Sequence, residues 1–321
     1  DMGAVAKLKG VATGDALCGD EPLVAFPPVP LPRPSMSFRV NAHDRGDDDK
    51  IVTLLRRMAE EDPSLDVHQD PETGDLIVGG LSELHVEVVA ERIAERFGVQ
   101  MDLAPPHVPF RETITGSARA EGKHKKQSGG RGQYADCWLR VEPLPRGTGL
   151  EFVDKVVGGA IPRQFIGAVE SGVRDALRRG GVAGFPVVDL RVTLDDGKHH
   201  SVDSSEMAFS IAGGLAVKAA IAAARPVLLE PVMHVEITVT PDQVSDIMGD
   251  LSARRGQPLG IEMRGDREVI SAEVPMAEML SYGADLRQIT GGRGDYAMNV
   301  DHYAPAPGGV AQKAAADATP A

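Results

Sequence analysis

The strongest constraint on this 321-residue chain is an order of predicted strands and helices that occurs twice. Between residues 35 and 104, apolar periodicity predicts strand, helix, strand, strand, helix, strand. Residues 229–303 repeat that order. The βαββαβ order is the split arrangement of a ferredoxin-like sandwich. The sequence therefore predicts an α+β, multi-domain chain with two such sandwiches.

In the first sandwich, MSFRVNA predicts an opening strand, and Ser82 and Gly98 are the expected start and stop signals of the second helix. That helix is predicted to bury a broad apolar face, made of Leu84, Val88, Val89, Ile93 and Phe97. In the second sandwich, a helix is predicted from residue 241, with Thr240 as its cap and Gly256 just beyond its end.

The remaining segments complete the predicted domain organisation. A proline-rich stretch before residue 35 excludes a helix and predicts a linker, and we expect the Ala/Pro tail from 304 to be disordered. The chain starts in the middle of a pattern, as a piece of a longer protein would. The predicted domains are 1–34, the end of a β domain and a linker; 35–104; 105–228, a different α/β unit; 229–303; and the tail 304–321.

A glycine-rich tetrapeptide, GGRG, occurs at 129 and again at 291, each time followed by one polar residue, Tyr and Ala. Glycines before an alternating apolar run predict a tight loop that leads into a strand. The first copy has a basic setting, because 119–146 holds seven Lys or Arg against three acids. The whole chain has a formal charge of −13, which argues against general nucleic-acid binding.

The first loop supports two interpretations. Backbone amides, Lys125, Lys126, Arg131 and the side chains of Gln133 and Tyr134 suit irregular RNA, where splayed bases and phosphates need such groups. A solvated hairpin explains the same residues equally well.

The stretch DDGKHHSVDSSEMAF at 195–209 contains the residue types of a hydrolase or a metal site, namely Asp196, His199, His200, Ser204 and Glu206. We favour a simpler interpretation. Adjacent histidines in an extended loop point to opposite sides, and DSSE predicts a helix cap by Asp203 or Ser204. We expect no catalytic residue and no metal site.

Neither GSARAEGKH nor DDGKHH has the spacing of a phosphate-binding loop, so we expect no bound cofactor in this chain. Cys18 and Cys137 lack disulfide or metal spacing, which fits a reducing cytoplasm. No apolar run approaches the ~18 residues that span a bilayer, and no membrane partner is expected.

Long motifs in order along the chain resemble bacterial translation elongation factor G. They include HKKQSGGRGQYADCWLRVEP, VGGAIPRQFIGAVESGV, DGKHHSVDSSEMAFSIAGG, DIMGDLSARRGQPLG and ADLRQITGGRGDYAMNVDHY. The resemblance implies the end of domain II followed by domains III, IV and V, with domain IV similar to ribosomal protein S5 domain 2. It also implies a full-length GTPase that uses GTP and Mg²⁺ to drive tRNA–mRNA translocation, although this chain lacks the GTP-binding domain.

The resemblance also implies where the chain contacts its partners. Two loops at the tip of domain IV would reach the tRNA–mRNA duplex in the decoding region, with Gln133 and His200 closest to it. The second GGRG would lie near large-subunit RNA. The implied partners are 16S and 23S rRNA and the duplex, bound by a monomer in the cytoplasm. The expected contact residues are Lys125, Lys126, Gly129, Gly130, Arg131, Gly132, Gln133, Tyr134, Lys198, His199 and His200.

The sequence departs from the family pattern after the tip tyrosine. Ala135, Asp136, Cys137 and Trp138 stand where the family more usually has Gly, then His or Asn, then aliphatic residues. This raises the alternative of an elongation factor G-like paralogue that binds ribosomes with altered or no translocation. Ribosomal protection proteins share the architecture, but they depart from the GRGQY and VDSSEMAF patterns and rank third.

Overall fold

The structure, a computed structural model, describes residues 3–5, 10–11, 13–16, 34, 36–127 and 132–318. It forms two compact units. One combines the residues up to Val108 with Met233–Val300, and the other combines Pro109–Val232 with the segment from Asp301. The predicted linker before residue 34 and Cys18 lie outside the described residues.

The first ferredoxin-like domain is confirmed. Its elements are β1 (Met36–Ala42), α1 (Asp48–Glu61), β2 (Asp66–Gln69), β3 (Leu76–Gly80), α2 (Glu83–Phe97) and β4 (Met101–Ala104). The strand order β2-β3-β1-β4, with antiparallel pairs, is that of a split βαββαβ sandwich.

Helix α2 begins and ends at the predicted residues, and its buried face keeps Val89 and Ile93 of the predicted set. Leu84 and Phe97 of that set are exposed. Ser82 Oγ accepts from His85 N at 3.1 Å, and Gly98 takes φ 68°. Val86, Val89 and Ile93 are buried, whereas Leu84 is 68% exposed. The prediction for Leu84 was wrong because two residues at 100° each place it about 200° from Val86 around the helix.

The middle of the chain forms a second α+β domain. Its elements are β5 (Arg111–Ile114), β6 (Ala118–Lys126), β7 (Gln133–Pro143), β8 (Leu150–Asp154), α3 (Arg163–Arg179), β9 (Leu190–Lys198) and α4 (Glu206–Ala223). The sheet order is β6-β7-β9-β8, with β8 parallel to β9.

Helix α4 lies in the core of this domain, between the sheet and α3. A Cβ added at Gly122 of β6 would overlap the Ala212 carbonyl, and one added at Gly172 of α3 would overlap the Ser210 carbonyl. By length and composition α4 could cross a membrane, contrary to the expectation from the sequence, but nearly half of it is buried in the domain. It has the features of a core helix.

The second ferredoxin-like domain is also confirmed. Its elements are β10 (Pro226–Val239), α5 (Val244–Ala253), β11 (Gln257–Arg264), β12 (Arg267–Pro275), α6 (Tyr282–Thr290) and β13 (Asp295–Pro305). The order β11-β12-β10-β13 repeats that of the first domain. The start of β10 pairs with β5 instead, at residues 226–229.

Thr240 and Gln243 form a capping box, but it closes a 3-10 turn that precedes α5. The left-handed residue after α5 is Arg255, with φ 59°, and not Gly256. Gly256 is required for another reason, because a Cβ there would lie 2.7 Å from Leu251 O.

The second GGRG ends a helix. Gly291 and Gly292 take positive φ directly after α6, and Gly292 N donates to Arg287 O at 2.9 Å. This is a glycine-based helix C-terminus that leads into β13, as the sequence predicts for a tight loop before a strand.

The tail differs from the expected disorder. Helix α7 (Gly308–Ala318) follows β13, Ala314 is buried, and Ala306 N donates to Leu228 O at 2.9 Å. Low complexity concealed this helix, because alanine is the best helix former and its small side chain fits a close contact.

Glu112 ties the start of the middle domain to the loop after α3. This buried carboxylate accepts hydrogen bonds from the backbone N–H groups of Val182, Ala183 and Phe185 at 2.8–3.0 Å. We expect Glu112→Ala to lower the free energy of unfolding of this domain by about 3 kcal/mol or more, because three donors lose a charged acceptor. Urea unfolding followed by the fluorescence of Trp138, the chain's single tryptophan, measures it.

The control is Glu170→Ala, which removes a half-buried α3 carboxylate paired with Arg174, four residues on. Such pairs contribute about 0.5 kcal/mol or less. Equal losses for both variants would contradict the role assigned to Glu112.

Candidate nucleic-acid interface

Two segments from the predicted site leave the same end of the middle domain's sheet. Gln133 starts β7 opposite Lys126, the last residue of β6. Lys198, the last residue of β9, pairs with Asp136 of β7. The turn between β6 and β7 and the segment 199–204 therefore begin side by side. We call this end of the sheet the tip.

Backbone and side-chain hydrogen bonds join the two segments. Tyr134 N donates to Asp203 O at 2.9 Å, and Ser204 Oγ donates to Tyr134 O at 2.7 Å. Ser204 Oγ also accepts from His200 N at 2.9 Å, and Ser204 N donates to His200 O at 3.2 Å. The structure thus brings together Tyr134 and His200, which are 66 residues apart in sequence.

The first loop is described only in part. Gly129, Gly130 and Arg131 lie outside the described residues, so their predicted roles stay predictions. Gly132 is described, and a Cβ there would lie 3.0–3.2 Å from the Asp203 carboxylate. Glycine at 132 therefore allows the first loop to pass close to the second.

The His200 ring is oriented by its own turn. Its Nδ1 lies 3.3 Å from Val202 N and 3.2 Å from Asp203 N, both of which donate to it. When Nδ1 accepts these bonds, a neutral ring holds its proton on Nε2; when Nδ1 is protonated, Asp203 Oδ2 lies 3.3 Å away to accept from it. The side chain is 54% exposed and meets the Tyr134 ring edge-on. His200 can therefore offer an N–H donor to an external acceptor.

Gln133 has a similar orientation. His124 Nε2 lies 2.8 Å from Gln133 Oε1. When the imidazole donates to that oxygen, the Gln133 amide NH₂ remains for an outside acceptor.

His199 points elsewhere, as predicted for adjacent histidines. Its Nδ1 donates to Ala160 O at 3.1 Å. That contact adds a third segment, residues 155–162, to the tip. It contains Gly158 and Gly159, both with positive φ, and Val157, which is 81% exposed. The contact residues expected from the sequence do not include this segment, although the glycine pair shortly before α3 is a turn signal.

Exposed lysines surround the tip, while one carboxyl is buried among them. Lys125, Lys126 and Lys198 are exposed, as is Lys123. Asp136 is 2% exposed, and within the described chain its Oδ1 has no hydrogen-bond partner. Burial raises the pKa of Asp136, and Glu121 raises it further, whereas Lys123 and Lys198 lower it. The lysines thus surround a carboxyl that resists ionisation.

The cysteine beside it is inert. Burial raises the pKa of the Cys137 thiol to about 12. A protonated, buried thiol is a poor nucleophile.

The contacts do not support the enzyme interpretation of 195–209. The Ser204 hydroxyl donates to the Tyr134 carbonyl and not to a histidine, and Asp196 Oδ1 accepts from Gly197 N. A triad needs the hydroxyl to donate to a base. The predicted cap was also wrong by one residue. Ser205 caps α4 by accepting from Ala208 N at 3.2 Å, because the helix begins at Glu206.

Comparisons with known families match almost the whole described chain. The profile of elongation factor G domain III matches residues 31–105, that of domain IV matches 106–225, and that of the C-terminus matches 227–314. The chain belongs to the elongation factor G family. The tip lies within the region that matches domain IV, and the second GGRG lies within the C-terminal match.

A solved structure agrees with this membership. A crystal structure of a Thermus thermophilus protein is 40% identical, with a TM-score of 0.80. The match covers 94% of this chain and 45% of the Thermus chain. This member of the elongation factor G family thus spans less than half the length of that relative.

The buried Asp136 predicts an unusual pH dependence of stability. Its raised pKa means that the folded state holds the proton more tightly than the unfolded state, so ionisation opposes folding. Its stabilising contribution is present below the unfolded pKa of about 3.9 and is lost as pH rises through the folded pKa. We expect Asp136→Asn to stabilise the domain at neutral pH by about 1 kcal/mol, with the gain disappearing in acid. Urea unfolding across a pH series measures it.

Asp195→Asn is a matched control of opposite sign. Asp195 lies on the same sheet and accepts two-pronged hydrogen bonds from Arg119. Its removal should lower stability at neutral pH by about 1 kcal/mol. A loss of stability in Asp136→Asn at neutral pH would show that Asp136 favours the fold as a charged group.

Proposed function

We propose that this chain is the ribosome-binding part of a translational GTPase that promotes tRNA–mRNA translocation, with its domain IV tip inserted in the decoding region. The observation that carries the proposal is the junction of two loops, held by the hydrogen bonds of Tyr134 and Ser204, at a lysine-rich end of one sheet. In the full-length protein, GTP and Mg²⁺ would bind a separate domain that precedes this chain.

The tip has the groups that a folded or splayed RNA requires. Four exposed lysines supply charge for phosphates, and the His200 and Gln133 donors can reach bases, riboses or phosphates. These are contacts that position and hold. The chain's overall charge of −13 makes general attraction to RNA weak, so binding has to come from local basic surfaces such as this one.

The mechanism is therefore binding energy used for positioning. A tip that occupies the space left by a moving tRNA–mRNA duplex hinders its return. Without a nucleotide-dependent step the chain biases an equilibrium and cannot drive repeated cycles. Its partners would be 16S and 23S rRNA and the duplex, bound by a monomer in the cytoplasm.

One observation favours a second candidate, a paralogue that occupies ribosomes with little translocation. Asp136 places a buried carboxyl two residues beyond Tyr134, beneath the lysines of the tip. The family more usually has His or Asn at this position, so the surroundings of the tip lysines differ from the usual pattern. A ribosomal protection protein fits less well, since the GRGQY and VDSSEMAF motifs are intact.

Binding of this chain to 70S ribosomes should weaken steeply with salt. Contacts from four lysines predict a fall of roughly 50-fold between about 50 and 200 mM monovalent salt, because bound counterions are released. Pelleting across a salt series measures the slope. Replacement of Lys125 and Lys126 by Ala should reduce the slope of log affinity against log salt by the equivalent of about two phosphate contacts. Lys218→Ala, on the exposed surface of α4, should leave the slope unchanged. No binding at low salt would count against the proposal.

Gln133→Ala and His200→Ala should each weaken binding to ribosomes that carry tRNA and mRNA. In the full-length protein they should slow single-turnover translocation by about tenfold or more, since each removes a donor from the tip. Neither should lower the free energy of unfolding by more than about 1 kcal/mol, because His200 is exposed and Gln133 only half-buried, so the groups left without a partner can reach water. Normal binding with no translocation by the unmodified full-length protein would favour the paralogue.

A further inference from the structure

Ser204 lies between the two loops of the tip and is itself withdrawn from solvent. It is 8% exposed, whereas the neighbouring His200 and Val202 are exposed. A side chain at this depth cannot bind RNA directly. Any effect it has on an RNA partner must pass through the groups that it holds.

The Ser204 hydroxyl holds one group from each loop. It donates to Tyr134 O, on the strand that follows the first loop, and accepts from His200 N, in the second loop. Both distances, 2.7 and 2.9 Å, are those of well-formed hydrogen bonds. One oxygen atom therefore fixes the separation of Tyr134 and His200, whose rings meet edge-on.

Other contacts at the junction cannot replace this oxygen. The backbone bonds Tyr134 N to Asp203 O and Ser204 N to His200 O keep the chains close when the hydroxyl is absent. However, the Tyr134 carbonyl and the His200 amide would then need new partners. The His200 turn would rotate to find them, and the ring would turn with it, since Nδ1 depends on the amides of residues 202 and 203.

We propose that Ser204 is a positioning residue for RNA recognition, and that its hydroxyl couples the two loops so that Tyr134 and His200 present one rigid surface. This inference rests on the proposed ribosome-binding function and extends it to a residue that makes no contact with the partner.

Ser205 provides a matched control, because its hydroxyl makes a different hydrogen bond from that of Ser204. The Ser205 hydroxyl accepts from Ala208 N and caps α4, so its bond lies within the helix and away from the two loops. Ala at 205 thus removes one hydroxyl and one helix cap. Ala at 204 removes one hydroxyl and the coupling. Similar losses of stability are expected, with different losses of binding.

The first measurement needs no ribosome. Amide hydrogen exchange in this chain should be faster at His200 and in the 134–135 segment in Ser204→Ala, and unchanged there in Ser205→Ala. Unchanged protection in Ser204→Ala would overturn the coupling.

The second measurement is the affinity for 70S ribosomes that carry tRNA and mRNA. We expect Ser204→Ala to weaken binding about tenfold and Ser205→Ala by less than about twofold. Ser204→Thr, which keeps the hydroxyl, should bind nearly as the unmodified chain does. In a His200→Ala background, Ser204→Ala should add little, because its effect passes through that ring.

The outcomes separate the inference from the function on which it rests. If the unmodified chain binds no ribosomes, the proposed function fails while hydrogen exchange still decides the coupling. If the unmodified chain binds and Ser204→Ala behaves as Ser205→Ala does, the inference fails alone. Additive losses in the double variant would also overturn it. If Ser204→Ala does not fold, Ser204→Thr decides, since a loss of affinity despite the hydroxyl contradicts the role.

Discussion

The middle domain depends on how closely α4 packs. Its buried side contains mostly small residues. The helix meets β6 at Gly122 and α3 at Gly172, where no side chain fits between the backbones. Such close contact prevents α4 from sliding or rotating, since protein interiors are close-packed and contain few voids. The residues that directly precede the first turn of α4 are therefore held in place as well.

The tip is attached there. Ser205 caps α4, Ser204 precedes the cap, and the His200 turn precedes Ser204. The strands supply the other half, because β7 carries Tyr134 into the same junction. The two loops are remote in sequence, but one precedes the start of α4 and the other the start of β7. Because the core holds both of these elements in place, it also determines the geometry of the loops. A site on rigid elements positions its donors better than a site on long loops alone.

Much of this fold can be predicted from the sequence, since periodicity and caps are local. The order of strands and helices along the chain in both sandwiches, the Ser82 cap and the Gly98 stop follow from short stretches. The errors have tertiary causes. Leu84 was assigned to the core because an apolar count does not fix which side of a helix meets the sheet. The cap at Ser205 was misplaced by one residue because Ser204 is engaged by Tyr134, 70 residues away. The loop at 155–162 belongs to the tip only through its contact with His199.

The last glycines of the two GGRG tetrapeptides meet different neighbours. The copy at 291 stops a helix, and its last glycine, Gly294, is required because a Cβ would lie 2.7 Å from Thr290 Cγ2. In the copy at 129, Gly132 is confined by the carboxylate of Asp203. Glycine is therefore needed at both positions, but a different neighbour excludes a larger residue in each case. A motif that occurs twice in one protein can therefore show that small residues are needed at both places, while the group that leaves no room for a side chain differs between them.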